Sequence, residues 1–152
     1  MNEKESVGRY LSFIYRTSQN FIAKELEHHS LGSGQYIYLL ALYRKDGIIQ
    51  DTLADEIKVD KATAARSLKK LEEEGYIFRK KSASDKRAFE IYLTDKGKQF
   101  EPILNDILCR WMKLVLKDFT EEEKDLLLIL LKKMFLNLQF ASEGSLHNES
   151  AQ

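Results

Sequence analysis

Apolar residues Val7, Tyr10, Leu11, Ile14, Phe21, Ile22 and Leu26 recur every three or four positions, the spacing that lines side chains along one face of a helix. This predicts a first long helix over about residues 6–28. Leu31-Gly32-Ser33-Gly34 interrupts it, and Tyr36, Ile37, Leu39, Leu40, Leu42 and Tyr43 predict a second, shorter helix that ends near Asp46-Gly47. Two further segments keep helical spacing: Asp51 to Ile57, with Leu53, Ala54 and Ile57, and Lys61 to Glu74, with Ala64, Leu68 and Leu71. Between them Lys58-Val59-Asp60 forms a tight connection, with Asp60 placed to accept from an unpaired amide at the start of the next helix. Gly75 ends that helix, since glycine readily takes the left-handed conformation just past a last turn.

From Tyr76 to Lys81 and from Arg87 to Leu93 the pattern becomes alternating, clearest in Phe89, Ile91 and Leu93 against Glu90 and Tyr92, which predicts a β-hairpin. Its loop, Ser82 to Lys86, is small and polar, and Arg79, Lys80, Lys81, Lys86 and Arg87 surround it. Thr94 caps a long amphipathic helix that carries Phe100, Ile103, Leu104, Ile107, Leu108, Trp111, Val115 and Leu116 and reaches about Lys117. Thr120 and Glu123 form a capping box that opens a last helix. Its run from Leu126 to Leu131 has no polar face and demands burial on more than one side. Residues 142–152 are polar and read as a disordered tail.

Composition narrows the class. The 152 residues suit one ordinary domain, or a small core plus oligomerisation elements, and 43% hydrophobic with 32% charged residues is the balance of a folded globular chain. The longest apolar stretch is interrupted by Lys132 and Lys133 and is too short to cross a bilayer, and no export signal precedes the first helix. With a single cysteine, Cys109, the expected compartment is the cytoplasm. The formal net charge is zero, yet the window from Lys58 to Lys98 holds 12 Lys/Arg against 7 Asp/Glu, so positive charge gathers around the short helices and the hairpin.

A short helix, a tight turn, a second helix and then a hairpin with a basic tip is the order of a winged helix-turn-helix. The fold class is therefore mainly α with a small β wing, a winged helix-turn-helix core flanked by long helices, which the resemblance described next implies are dimerisation helices. With Ala64, Leu68 and Leu71 facing the core, the outer surface of the second helix carries Lys61, Ala62, Thr63, Ala65, Arg66, Lys69 and Lys70. Ala62 and Ala65 admit close approach to base edges, Thr63 can bond a base or a phosphate, and Arg66 can fork onto guanine. Glu72, Glu73 and Glu74, at the far end, should point away from phosphates. An isolated helix of this kind is most often just a solvated face; the turn and basic wing beside it favour the DNA-binding reading.

The stretch Asp85-x-Arg87, five residues, Leu93-Thr94-x-x-Gly97 resembles the wing and following helix start of MarR-type regulators. Leu53-Ala54, Leu71-Glu72 with Gly75, and the long flanking helices extend the resemblance over residues 7 to 140. Lys58 departs from it, standing where many such turns have glycine. The resemblance implies that Arg87 enters the minor groove and that Asp85 orients it or ties the wing together, with Lys86 between them. It also implies a homodimer on a pseudo-palindromic operator. The expected organisation is a dimerisation helix over 1–30, the winged domain over 31–98, dimerisation helices over 99–141 and the tail over 142–152.

Relatives of this type commonly lose DNA affinity when a small aromatic or phenolic effector binds, and the resemblance makes a slot of Tyr10, Phe13, Arg16, Thr17, Tyr36 and Tyr38 its candidate site. Aromatic residues at helical spacing are more often simply core. Cys109, beside Leu108 and Trp111, is expected in an apolar, unreactive setting. No glycine-rich phosphate loop, nucleophile elbow, His-Glu-x-x-His helix or cysteine cluster occurs, so neither an enzyme, a metal site nor a cofactor is expected. The competing reading is a winged-helix protein-interaction module without DNA binding.

Overall fold

The computed structural model describes residues 6–148. Its elements run α1 (Val7–Leu26), a 3₁₀ turn (Glu27–His29), α2 (Tyr36–Arg44), β1 (Ile48–Ile49), α3 (Gln50–Glu56), α4 (Lys61–Glu73), β2 (Ile77–Lys81), β3 (Phe89–Leu93), α5 (Asp95–Val115) and α6 (Glu121–Asn148). Winged helix-turn-helix is the observed architecture, and the chain divides into two compact units, Met1–Met112 and Lys113–Gln152.

The first unit holds the core. Leu26, Leu39, Leu53, Leu68, Leu71, Ile91 and Leu104 are fully closed to solvent, and the two outer strands add Ile48 and Ile77, so each α-helix from α1 to α5 and each strand contributes to it. Burying a leucine of this kind stabilises by about 1.5–3 kcal/mol. α4 presents Ala64, Ser67, Leu68 and Leu71 to this core, the predicted stripe plus one serine. Ser67 is tolerated there because it meets the hydroxyl of buried Tyr38.

A three-stranded antiparallel sheet, order β1-β3-β2, carries the wing. Ile77 lies opposite Leu93 and Arg79 opposite Ile91, while Ile48 pairs with Ile91 from the other side. Ile48, Ile77, Ile91 and Leu93 thus seal the sheet against the helices. β1 was not legible as a strand: two residues cannot show an alternation. The predicted second strand begins at Arg87, whereas the ladder starts at Phe89, leaving Arg87 in the turn.

The caps act as the sequence indicates. Asp60 accepts from the Thr63 amide at 2.8 Å, and Thr120 and Glu123 exchange bonds at 3.2 and 2.9 Å. At the α3–α4 turn, Lys58 is forced to φ 57°, the left-handed conformation that glycine takes without steric cost. Its side chain is exposed. Lys58→Gly should therefore raise stability by about 0.5 kcal/mol and Tm by about 1–2 °C, because relief of left-handed strain exceeds glycine's added unfolded-state entropy. Thermal unfolding checks this; a lower Tm would contradict it.

Two expectations change. The reading of 142–152 as a disordered tail fails in part: α6 continues to Asn148, and 149–152 lie outside the described residues. Cys109 is exposed rather than enclosed by apolar neighbours, because it falls on the face of α5 opposite Leu104 and Ile107. Within a single chain the apolar run of α6 is left open to solvent at Leu126, Leu128, Ile129, Leu130 and Leu131, with Ile129 at 62%, so its expected burial is not supplied by this chain itself.

Candidate nucleic-acid interface

The outer face of α4 follows from its register. Lys61, Ala62, Arg66, Lys69 and Lys70 are exposed, and Thr63 and Ala65 are half-buried, the complement of the stripe that faces the core. At its N-terminus the Thr63 hydroxyl donates to Asp60 Oδ2 at 2.6 Å, and Arg66 Nη2 donates to Thr63 Oγ1 at 3.0 Å. The hydrogen bonds from Thr63 hold the Asp60 carboxyl below the usual carboxylate range.

Most of the lysines on this face already have acidic partners. Lys61 Nζ meets Asp51 at 2.7 Å, Lys69 meets Glu73 at 3.8 Å and Lys70 meets Glu74 at 2.8 Å. These pairs are open to water, where ion pairing contributes little and is readily exchanged. Glu72 reaches Arg79 Nε on β2 at 3.4 Å, an ion pair whose alignment falls short of a hydrogen bond. The acidic end of α4 is therefore turned onto neighbouring cations, two of which, Lys69 and Lys70, lie on the outer face itself.

The wing tip is fixed by its own backbone. Asp85 O accepts from Ala88 N at 3.0 Å, making Lys86 and Arg87 the two central residues of a tight turn. Asp85 Oδ1 accepts from the Arg87 amide at 2.9 Å. Asp85 thus ties the loop together rather than gripping the Arg87 guanidinium. Buried Ser82 closes the base, its amide donating to Ala88 O at 3.0 Å and its hydroxyl lying 3.0 Å from that of Ser84. Lys86 and Arg87 are left exposed on a hydrogen-bonded turn. A notch of about 390 Å³ separates Arg87 and Phe89 from Ile49, Gln50 and Asp51.

Where α4 ends, a clasp links it to α5. Thr94 Oγ1 donates to Gly75 O at 2.6 Å and accepts from the Gly97 amide at 3.0 Å, while the Thr94 amide donates to Tyr76 O at 3.0 Å. Tyr43 from α2 donates to Gly97 O at 2.9 Å, and burial pushes its hydroxyl well above the usual tyrosine range. The Leu93-Thr94-x-x-Gly97 motif is this clasp. Sequence reading recognised its pattern and its capping threonine but not the contacts across 19 and 54 residues that give it purpose. It also missed Asp46, whose carboxylate accepts from the Leu93 amide at 2.9 Å and anchors β3.

The six residues of the expected effector slot are not gathered into one enclosure by a single chain. Tyr38 is 1% exposed and belongs to the core, whereas Tyr10, Phe13, Arg16 and Thr17 are exposed on α1. No group of three or more potential metal ligands occurs, and no helix is long and apolar enough to cross a membrane, among the described residues.

Comparison with known proteins gives the same outline. The MarR family model matches residues 31–89. An uncharacterized HTH-type transcriptional regulator of Bacillus subtilis (strain 168), YybA, is 36% identical over 131 residues, 86% of this chain and 87% of its own length. Among solved structures, a MarR transcriptional regulator from Methanosarcina mazei Go1 is similar at TM-score 0.86 with 38% identity, covering 89% of this chain and 97% of that one. A regulator assigned to the same family from Listeria monocytogenes, solved with a 26mer DNA, is similar at TM-score 0.82 with 33% identity, covering 88% and 89%. Fold, exposed α4 face, basic wing and relatives agree: this chain belongs to the MarR family of winged helix-turn-helix, DNA-binding transcriptional regulators, and is not an enzyme.

Proposed function

We propose that the protein is a cytoplasmic repressor that binds a pseudo-palindromic operator as a homodimer and is released by a small aromatic or phenolic effector. The observation that carries this reading is the pairing of an exposed α4 face bearing Arg66 with a hydrogen-bonded wing turn bearing exposed Lys86 and Arg87. In this assignment Lys61, Ala62, Thr63, Ala65, Arg66, Lys69 and Lys70 enter the major groove, and Arg87, with Asp85 and Lys86 shaping its turn, enters the flanking minor groove. Two copies related by a two-fold axis read half-sites roughly 34–36 Å apart.

Dimerisation through residues 1–30 and 99–141 is supported by the exposed apolar side chains of α6 and by Val7, Tyr10, Phe13 and Ile14 on α1. Apolar surface of this extent calls for a partner, and a symmetric second copy is the usual one. Light scattering should give twice the 17.7 kDa chain mass, and Ile129→Glu should weaken association by about tenfold, by placing a charge in the apolar contact. A monomer at micromolar concentration would contradict the dimer.

We place the effector on the α1 face that carries Tyr10, Phe13, Arg16 and Thr17, with Tyr36 beside the core and a second subunit supplying the missing wall; Tyr38 is not included. Selection of bound sequences from random DNA, with and without a panel of aromatic acids, tests operator, symmetry and release together. Failure to bind any DNA specifically at low salt would favour a protein-interaction module instead.

A further inference from the structure

We propose that Asp60 is a positioning residue for sequence recognition, acting through Thr63 to hold the Arg66 guanidinium in its base-reading pose before DNA arrives. The inference rests on the assignment of Arg66 to a base contact and adds the device that aims it. Asp60 does two separable things. One oxygen, Oδ1, accepts from the Thr63 amide at 2.8 Å and caps α4. The other, Oδ2, accepts from the Thr63 hydroxyl at 2.6 Å.

That second bond fixes the direction of the hydroxyl proton. Thr63 Oγ1 has one proton to give, and with it committed to Asp60 its lone pairs turn outward as acceptors. Arg66 Nη2 donates to them at 3.0 Å, three residues and nearly one turn along the same face. The chain of donors thus runs from Arg66 to Thr63 to Asp60, a positive end and a negative end joined through a neutral hydroxyl, and each bond strengthens the next. Asp60 and Arg66 are exposed and Thr63 is half-buried between them, so both ends of the relay lie where DNA can reach them.

Arg66 keeps enough donors for a guanine. The guanidinium offers five N–H groups, and a single one is engaged by Thr63, leaving a fork free for the O6 and N7 acceptors. A long side chain already held in one rotamer loses less freedom on binding, an advantage confined to the base it fits. Asp60 also carries a negative charge near the phosphates, so it weakens sequence-independent attraction while sharpening discrimination. The two effects have opposite signs, which separates a positioning role from a merely structural one.

The test uses the intact protein and the operator obtained by selection, comparing the preferred site, single-base variants of it and unrelated DNA. Asp60→Asn retains a good cap through its carbonyl oxygen but replaces the second acceptor with a donor. Discrimination at the base that Arg66→Ala identifies should fall roughly three- to tenfold in Asp60→Asn and in Thr63→Val, the range expected for one freed side chain. Affinity of Asp60→Asn for unrelated DNA should stay level or rise. Thr63→Ser, which restores the hydroxyl, should recover most of the discrimination lost in Thr63→Val. If Arg66→Ala loses discrimination while Asp60→Asn and Thr63→Val keep it, the relay is idle and the proposal fails with the base contact intact. If Asp60→Asn loses specific and unrelated DNA equally, with a lower Tm, Asp60 is a cap alone and the proposal is overturned. If Arg66→Ala itself discriminates as before at every position, the base-contact assignment falls and the proposal falls with it.

Discussion

Replacing Gly97 by alanine is expected to destabilise the protein by about 3 kcal/mol and to lower Tm by about 6–12 °C, the upper part of the range for overpacking. A Cβ built on Gly97 would lie 2.2 Å from the carbonyl oxygen of Tyr76 and 3.2 Å from Leu93 Cδ2. The first contact is with backbone, which cannot rotate away. That carbonyl also accepts from the Thr94 amide, and Tyr76 is itself buried, its ring 5.1 Å from Phe100 and its hydroxyl donating to His29 O at 3.0 Å. Relief would have to move the start of β2 or the first turn of α5, either of which opens the clasp at Thr94. Gly34→Ala is the control, since an added Cβ there meets nothing within 4 Å. Thermal unfolding followed by circular dichroism distinguishes them; a Gly97→Ala protein melting with the parent would refute the close approach.

Alanine at Arg66 or at Arg87 should each cost about 10- to 100-fold in operator affinity, and the two losses should differ in kind. Arg66→Ala removes a fork to base acceptors, so its loss should concentrate on one base position per half-site. Arg87→Ala removes a cation from a narrow minor groove, so its loss should follow A·T richness beside the half-site and should reduce the salt dependence by about one ion per subunit. The turn around Arg87 should be unchanged, because Asp85 binds the Arg87 amide and not its side chain. Asp85→Ala should therefore weaken binding indirectly, by loosening the turn. Binding isotherms at several salt concentrations measure all of this, and full affinity in both arginine variants would remove the proposed interface.

The order of elements was readable because each announces itself locally. The apolar stripe of α4, the cap at Asp60, the capping box at Thr120 and the alternation of β3 all depend on neighbours within a few residues. What stayed hidden depends on distant partners. Nothing near Thr94 in sequence shows that its hydroxyl reaches Gly75 O, or that Tyr43 reaches Gly97 O. The lysines of α4 were legible as exposed, but the pairing of Lys61 with Asp51 crosses the turn between two helices. Tyr38 looked like a slot residue because one tyrosine at helical spacing resembles another; only its burial against α4 distinguishes it from Tyr10. The length of α6 was misjudged because a polar sequence carries no apolar stripe to mark helical continuation.

The ion pairs along α4 have a bearing on how such a protein finds its site. In the proposed interface Lys61, Lys69 and Lys70 exchange Asp51, Glu73 and Glu74 for phosphates, an exchange that ion pairs open to water offset only slightly. Arg66, joined to a threonine and not to a carboxylate, and the exposed Arg87 give up no such partner. In the proposed interface, a chain with no net charge has a weaker sequence-independent attraction to DNA than a uniformly basic one, which favours release from irrelevant genomic sequence.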